Sequence, residues 1–262
     1  MDKGHNRNKN QTHGLQVTSK RLEADGIMEE KVIVGVTVRV NDTRLPAKSL
    51  LPLNNVPIIK LICDRFQFLQ AVNLVFLLVP DEPESMDLVV QSGQRPVIFG
   101  DPDKPLLRYI KLAKLCRPND IIVRATGDNP FPSFAVFEQA LEIMKNDNLG
   151  YVLVDHLPPG ITVELIRAGE ILSREFAERL PGEGEHVTTY FKSKYYTNKR
   201  ICNPAKKQWI RKGISFTVDT KADYVWMCKI ASVLYAQTGS WWWAADYDQI
   251  YKAAEVVLNE AD

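Results

Sequence analysis

The sequence predicts an α/β fold built on a doubly wound, mostly parallel sheet. Three observations carry that expectation: short apolar runs rich in branched residues recur from residue 32 onward, amphipathic stretches of helical length separate them, and the two kinds alternate. A strand covered on both faces by crossover helices needs apolar residues at successive positions, so its run is continuous. Alternation of such strands with helices builds parallel pairs through right-handed crossovers.

In chain order, residues 1–30 are rich in Asn, Gln, Lys and Gly, show no sustained apolar period, and are expected to form a flexible N-terminal extension. His5 and His13 lie there and carry no assigned role. Residues 31–262 are expected to form a single domain, with no internal repeat or interdomain linker. "VIVGVTV" (32–38), "LVFLLV" (74–79), "PVIF" (96–99) and "DIIVRAT" (120–126) read as strands. "VPIIKLICDRFQFL", with Pro57 at a first-turn position, "PLLRYIKLAKLC" and "FAVFEQALEIMK" read as the helices among them. Beyond lie "YVLVD", "TVELI", a helix from about Glu170 to Leu180, and a final strand "GISFTV" (213–218). Two helices holding "YVWMCKIASVLYA" and "DQIYKAAEVVLNE" follow.

The charges exclude some functions: 33 basic against 32 acidic side chains give no global field for nucleic acid or a membrane surface, so anion binding must be local. Cys63, Cys116, Cys202 and Cys228 lack metal spacing and read as ordinary reduced thiols. No apolar run approaches the ~20 residues that span a bilayer, and the first residues lack the apolar region of a secretory signal, so a cytoplasmic location is expected.

In doubly wound sheets, ligands bind beyond the carboxyl ends of the strands, near the point where strand order reverses. The first strand runs into "TVRVNDTRLPAKSLLPL" (37–53), where Arg39, Arg44 and Lys48 offer the forked and point-charge donors that hold a polyphosphate. The same charges also suit a solvated, proline-fixed loop, and no Walker motif is present. Asp128 and Asp219 each fall just past an expected strand and could meet over one sheet edge to hold magnesium, although "GDNP" is good turn chemistry and Thr220 to Asp223 resembles a helix capping box. Glu164 sits in an apolar run and needs solvent or a partner, which a substrate hydroxyl could be. His186 in "GEHVTTYF" is a lone histidine. Adjacent tryptophans at 241–243 cannot all face one ligand, so packing or a subunit contact suits them better.

"VRVNDTRLPAKSLLPLNNVPII" resembles the N-terminal signature of the spore-coat polysaccharide biosynthesis cytidylyltransferase-like family, which is related to the enzymes that activate 3-deoxy-manno-octulosonate and acylneuraminates. "VIFGDPDKPLLRY", "VRATGDNPF", "PPGITVELI", "GEHVTTYF" and "FTVDTKADY" are similar to further family segments in the same order, over about residues 32–230. The resemblance implies a Rossmann-like sheet of the nucleotide-diphospho-sugar transferase type with a small acceptor-side or dimerisation subregion. It implies a magnesium-dependent homodimer that moves CMP from CTP to a sugar acid with release of pyrophosphate, for a surface polysaccharide. Carried over by position, Arg39, Thr43, Arg44, Lys48, Arg108 and Arg124 would bind nucleotide, Asp128 and Asp219 the Mg2+, and Glu164 and His186 the acceptor. Asn41 and Asp42, Thr162, Gly184 and Ser215 depart from the family pattern. Asp42 adds negative charge beside the proposed triphosphate and, with the acceptor-side departures, keeps open a binding homologue without catalysis; an enzyme with a phosphate or phosphonate acceptor is a further reading.

Overall fold

The computed structural model describes residues 29–39, 43–174, 186–210 and 213–260. The expected N-terminal extension lies outside the described residues except for Glu29 and Glu30, as do Asn41, Asp42 and Gly184. Lys31–Asp262 form one compact unit.

Among the described residues the main sheet has seven strands: β1 (Val32–Thr37), β4 (Leu74–Pro80), β5 (Val97–Gly100), β6 (Ile121–Thr126), β7 (Tyr151–Val154), β8 (Glu164–Arg167) and β9 (Lys199–Cys202). Their spatial order is β5-β4-β1-β6-β8-β7-β9. β1 pairs parallel to β4 on one side and to β6 on the other, so strand order reverses between β1 and β6. β8 runs antiparallel to both of its neighbours. β2 (Pro52–Leu53) and β3 (Val56–Pro57) form a separate hairpin. Its two-residue turn, Asn54–Asn55, has positive φ at both positions (44° and 64°), the twist that tight hairpins favour.

Both faces of the central strands are buried, which is why those strands read as continuous apolar runs. Val32, Val34 and Val36 of β1 enter a core with Val123 of β6, and Ile33 enters a second core with Ile122 and Leu78. The first core is closed by α1 (Ile58–Phe68), α4 (Phe134–Asn146), α7 (Lys221–Thr238) and α8 (Tyr247–Asn259). The second lies under α3 (Pro105–Ala113), α5 (Ala168–Leu172) and α6 (Thr189–Lys192). A helix α2 (Ser85–Gln91) bridges β4 and β5.

Several expectations shift. Pro57 sits one residue ahead of α1 and belongs to the hairpin. The helix expected over Glu170–Leu180 is described only as Ala168–Leu172, with residues from 175 outside the description. "GISFTV" is not a sheet strand: Phe216 N donates to Pro159 O (2.8 Å) and Val218 N to Asp128 O (2.8 Å). Alternate amides of this extended segment find two different loops rather than one strand, while Phe216 and Val218 are buried. The sheet edge is supplied by β9 instead, whose sequence KRIC shows no apolar run. Trp242 is buried edge-on to Phe131, and Trp243 packs against Phe68. All four cysteines are free. No helix among the described residues is long and apolar enough to cross a membrane.

Candidate active site

The carboxyl ends of β1 and β6 open into a cleft of about 450 Å³. Its wall holds Arg39, Arg44 and Lys48 from the segment after β1, Asp128 from the turn after β6, and Asp219 from the segment before α7. Arg124 of β6, Glu164 of β8, and His186 and Lys192 at α6 complete it. The described lining carries five cations, Arg39, Arg44, Lys48, Arg124 and Lys192, against three carboxylates, Asp128, Glu164 and Asp219. The local surplus of positive charge suits an anionic ligand although the whole chain is nearly neutral.

Lys48 opens a single helical turn, residues 48–50, entered through Ala47 in the left-handed conformation (φ 52°). Leu50 N donates to Ala47 O (2.8 Å), and Ser49 Oγ to Gly127 O (2.8 Å), fastening the turn to the end of β6. A Cβ on Gly127 would stand 2.7 Å from Val38 Cγ2, so only glycine lets the two strand ends approach this closely. The turn aims Lys48 Nζ at Asp128 Oδ2 (3.1 Å) and Asp219 Oδ1 (2.8 Å). Arg44 Nη2 reaches the same Asp219 oxygen at 3.2 Å. Partial burial alone would push the Asp219 carboxyl up, but Lys48 and Arg44 hold it below its ordinary value.

At the other end, Lys192 Nζ donates to Glu164 Oε1 (2.8 Å) and Arg124 Nη1 lies 3.6 Å from it. Burial of Glu164 would raise its pKa; the two cations outweigh that and hold it below the ordinary glutamate value. His186 is exposed on the rim.

Two of the expected nucleotide residues stand elsewhere. Thr43 is exposed and does not line the cleft. Arg108 is fully buried, donating from Nη1 to Val38 O and Leu78 O (3.3 Å each) behind the ends of β1 and β4. Burial lowers its pKa to about 10, and its place fits fastening the strand end from which the Arg39 loop departs. Two departures from the family pattern have local structural roles: Thr162 Oγ1 donates to Val154 O (2.7 Å), and Ser215 Oγ accepts from Thr217 N (3.2 Å). Lys192 escaped the sequence reading, because a lysine ending a short helix reads as solvated and nothing local reveals its carboxylate partner on β8.

The described residues include no cluster of three or more His, Cys, Asp or Glu side chains able to hold a metal alone. Asp128 and Asp219 nevertheless converge on one cationic point. Two convergent carboxylates, completed by phosphate oxygens and water, are a donor set that magnesium accepts, so the residues fit that ion.

A family model described as cytidylyltransferase matches residues 33–170. The chain is 25% identical over 197 residues to the spore coat polysaccharide biosynthesis protein SpsF of Bacillus subtilis (strain 168), covering 72% of this chain and 81% of that protein. It is 24% identical over 136 residues to an 8-amino-3,8-dideoxy-manno-octulosonate cytidylyltransferase of Shewanella sp. (strain W3-18-1), covering 47% of this chain and 54% of that one. Among solved structures, a cytidylyltransferase from Leptospira borgpetersenii superposes with a TM-score of 0.74 at 20% identity, over 88% of this chain and 96% of that one. A CMP:2-keto-3-deoxy-manno-octonic acid synthetase complexed with CTP superposes with a TM-score of 0.57 at 16% identity, over 79% and 100%.

Proposed function

The chain belongs to the cytidylyltransferase family, and from that premise we propose that it transfers CMP from CTP to a sugar acid of the 2-keto-3-deoxy or nonulosonic type, releasing pyrophosphate, for a surface polysaccharide. The observation that carries this reading is the convergence of Asp128 and Asp219, distant in sequence, on Lys48 Nζ beside Arg44 at the switch point of the sheet. The octulosonate cytidylyltransferase relative and the synthetase solved with CTP support the acceptor class, and the coat-polysaccharide relative supports the surface-polysaccharide destination.

In this reaction an acceptor hydroxyl oxygen bonds to the α-phosphorus, the bond to the bridging oxygen of the β-phosphate breaks, and the hydroxyl proton passes to water. Arg39, Arg44 and Lys48 bind the triphosphate, and Arg44 and Lys48 stabilise charge that builds on the departing pyrophosphate. Asp128 and Asp219 would hold magnesium, which as a Lewis acid supplies neutralisation of the phosphate charge and eases loss of the hydroxyl proton. Arg124 and Lys192, with Glu164 offsetting one of their charges, leave about one net positive charge for the acceptor, which favours a carboxylate over a dianionic phosphonate. Glu164 also offers an acceptor oxygen to a sugar hydroxyl, and the remaining contribution of the protein is positioning.

CTP-dependent pyrophosphate release in the presence of sugar acids tests the proposal. Asp128→Asn and Asp219→Asn should each lower turnover about 100-fold or more. If both variants bind magnesium and CTP as the wild type does, the metal assignment falls. Thermal-shift screening of each nucleoside triphosphate with magnesium tests the base: CTP at 100 times its dissociation constant should add ~2.7 kcal/mol. Equal shifts with all four would remove the preference for CTP.

A further inference from the structure

A side cavity of about 90 Å³ adjoins the cleft at its acceptor end, where Arg124, Thr126 and Glu164 line both. Arg124 and Glu164 stand directly opposite one another in the β6–β8 register, with Nη1 3.6 Å from Oε1, so the charges at this mouth offset each other. The rest of the lining is uncharged: Phe66, Ala125, Pro132 and Val163 supply buried apolar surface, and Asn129 and Thr162 are the polar side chains. Thr162, one of the departures from the family pattern, directs its hydroxyl to Val154 O (2.7 Å) and brings no charge to this wall. Two buried atoms of the lining have no hydrogen-bond partner among the described residues, the donor Nε of Arg124 and the acceptor Oδ1 of Asn129. Asn129 sends its own donor, Nδ2, to Thr126 Oγ1 (2.7 Å), which leaves Oδ1 in want of one.

We infer that this side cavity receives an acylamino substituent of the acceptor, of acetamido size, and that the chain thereby selects N-acylated sugar acids over their hydroxyl counterparts. A secondary amide carries its donor and its acceptor on separate atoms, so its N–H suits Asn129 Oδ1 and its carbonyl suits Arg124 Nε. Buried polar groups left unpaired cost free energy, and a ligand that pairs both recovers that cost on binding. The methyl of an acetamido group meets the apolar wall of Phe66, Pro132 and Val163. A volume of about 90 Å³ is well above the ~10–15 Å³ that a single water needs, which gives room for a group of several heavy atoms but not for a long acyl chain. An anionic substituent would enter a neutral wall beside the Glu164 carboxylate and is disfavoured there. This inference rests on the reading that the acceptor occupies the Glu164 end of the cleft.

N-acetylneuraminate and 3-deoxy-glycero-galacto-nonulosonate differ only in an acetamido group where the second acid has a hydroxyl. Each is titrated by calorimetry into the full chain saturated with magnesium and α,β-methylene-CTP, which holds nucleotide in place without turnover. The acetamido acid should bind about tenfold tighter or more, because the hydroxyl acid leaves the paired donor and acceptor unmet. Asn129→Leu removes the acceptor oxygen and should bring the two acids to within about threefold, at unchanged affinity for the nucleotide analogue. Thr162→Asp adds a carboxylate to the lining and should weaken the acetamido acid about tenfold while changing the hydroxyl acid less. Equal wild-type affinity for the two acids, or tighter binding of the hydroxyl acid, overturns the inference and leaves the sugar-acid reading standing; a cavity that serves water alone gives that result. A preference that both variants keep overturns it too, since recognition of the amide then lies elsewhere. If neither acid binds, the acceptor reading itself fails and the inference falls with it. Should the variants not fold, crystals of the wild type with N-acetylneuraminate decide: an acetamido group between Asn129 and Arg124 supports the assignment, and one placed anywhere else refutes it.

Discussion

Gly160→Ala tests how the fold delivers Asp219 to the cleft. Gly160 has φ +91°, and an added Cβ would overlap the carbonyl carbon and oxygen of Phe216 and stand 2.8 Å from Thr217 N. Those neighbours are backbone, so relief requires moving the extended segment that is tied at Phe216 to Pro159 and at Val218 to Asp128. Asp219 is the next residue. Gly93 supplies the control, since it has nearly the same φ (+86°) with nothing within 4 Å of its added Cβ. Forcing alanine into positive φ costs roughly 1–2 kcal/mol at either site. Overpacking adds about 1–3 kcal/mol at Gly160 alone. A body of this size loses about 2–4 °C in Tm per kcal/mol, so Gly160→Ala should melt roughly 5–15 °C below wild type and clearly below Gly93→Ala. Circular-dichroism melts give these numbers. The same melts with magnesium and CTP should show a reduced ligand-induced shift only for Gly160→Ala. If the two variants melt alike and respond to nucleotide as the wild type does, the segment does not position Asp219 as argued.

Three further outcomes are expected. Glu164→Gln removes a buried carboxylate whose folded-state pKa lies below its ordinary value. That contribution is present above the ordinary glutamate range and is lost as pH falls through the folded value. Wild type should therefore exceed Glu164→Gln by about 1–3 kcal/mol at pH 7, discounted because Lys192 is half-exposed, and the gap should close in acid; pH-resolved urea melts measure it. Arg65→Met removes a fully buried guanidinium that donates to the carbonyls of Pro132 (2.8 Å), Ala245 (3.1 Å) and Trp243. With three acceptors left wanting, the urea midpoint should fall by the equivalent of about 3–5 kcal/mol at unchanged slope; a neutral outcome would mean that water replaces the guanidinium. Lys192→Met should raise the acceptor KM about tenfold and leave that for CTP unmoved, whereas equal effects on both would place Lys192 outside acceptor recognition.

Much of this protein follows from the order of its residues. Strands covered on both faces leave continuous apolar runs, so β1, β4, β5 and β6 were legible to within a residue or two. Their alternation with helices located the carboxyl ends where Arg39, Arg44, Lys48 and Asp128 line one cleft. Local pattern failed where pairing is decided at a distance. "GISFTV" carries the alternation of a strand, with Phe216 and Val218 buried, but its amides face two loops and no strand among the described residues pairs with it. β9, with the sequence KRIC and largely exposed side chains, becomes a strand because the edge of β7 offers it unpaired backbone groups. Composition could likewise supply Arg108 with a charge but not with a direction; packing turned it inward, away from the cleft. The partners of the site carboxylates belong to tertiary structure alone: Lys192 reaches Glu164 across 28 positions, and Lys48 reaches Asp219 across 171. Sequence thus determined which charges this protein possesses and near which strand ends they fall. Only the folded chain decided which charges meet, because that depends on sheet order and close packing rather than on any periodicity a segment can carry by itself.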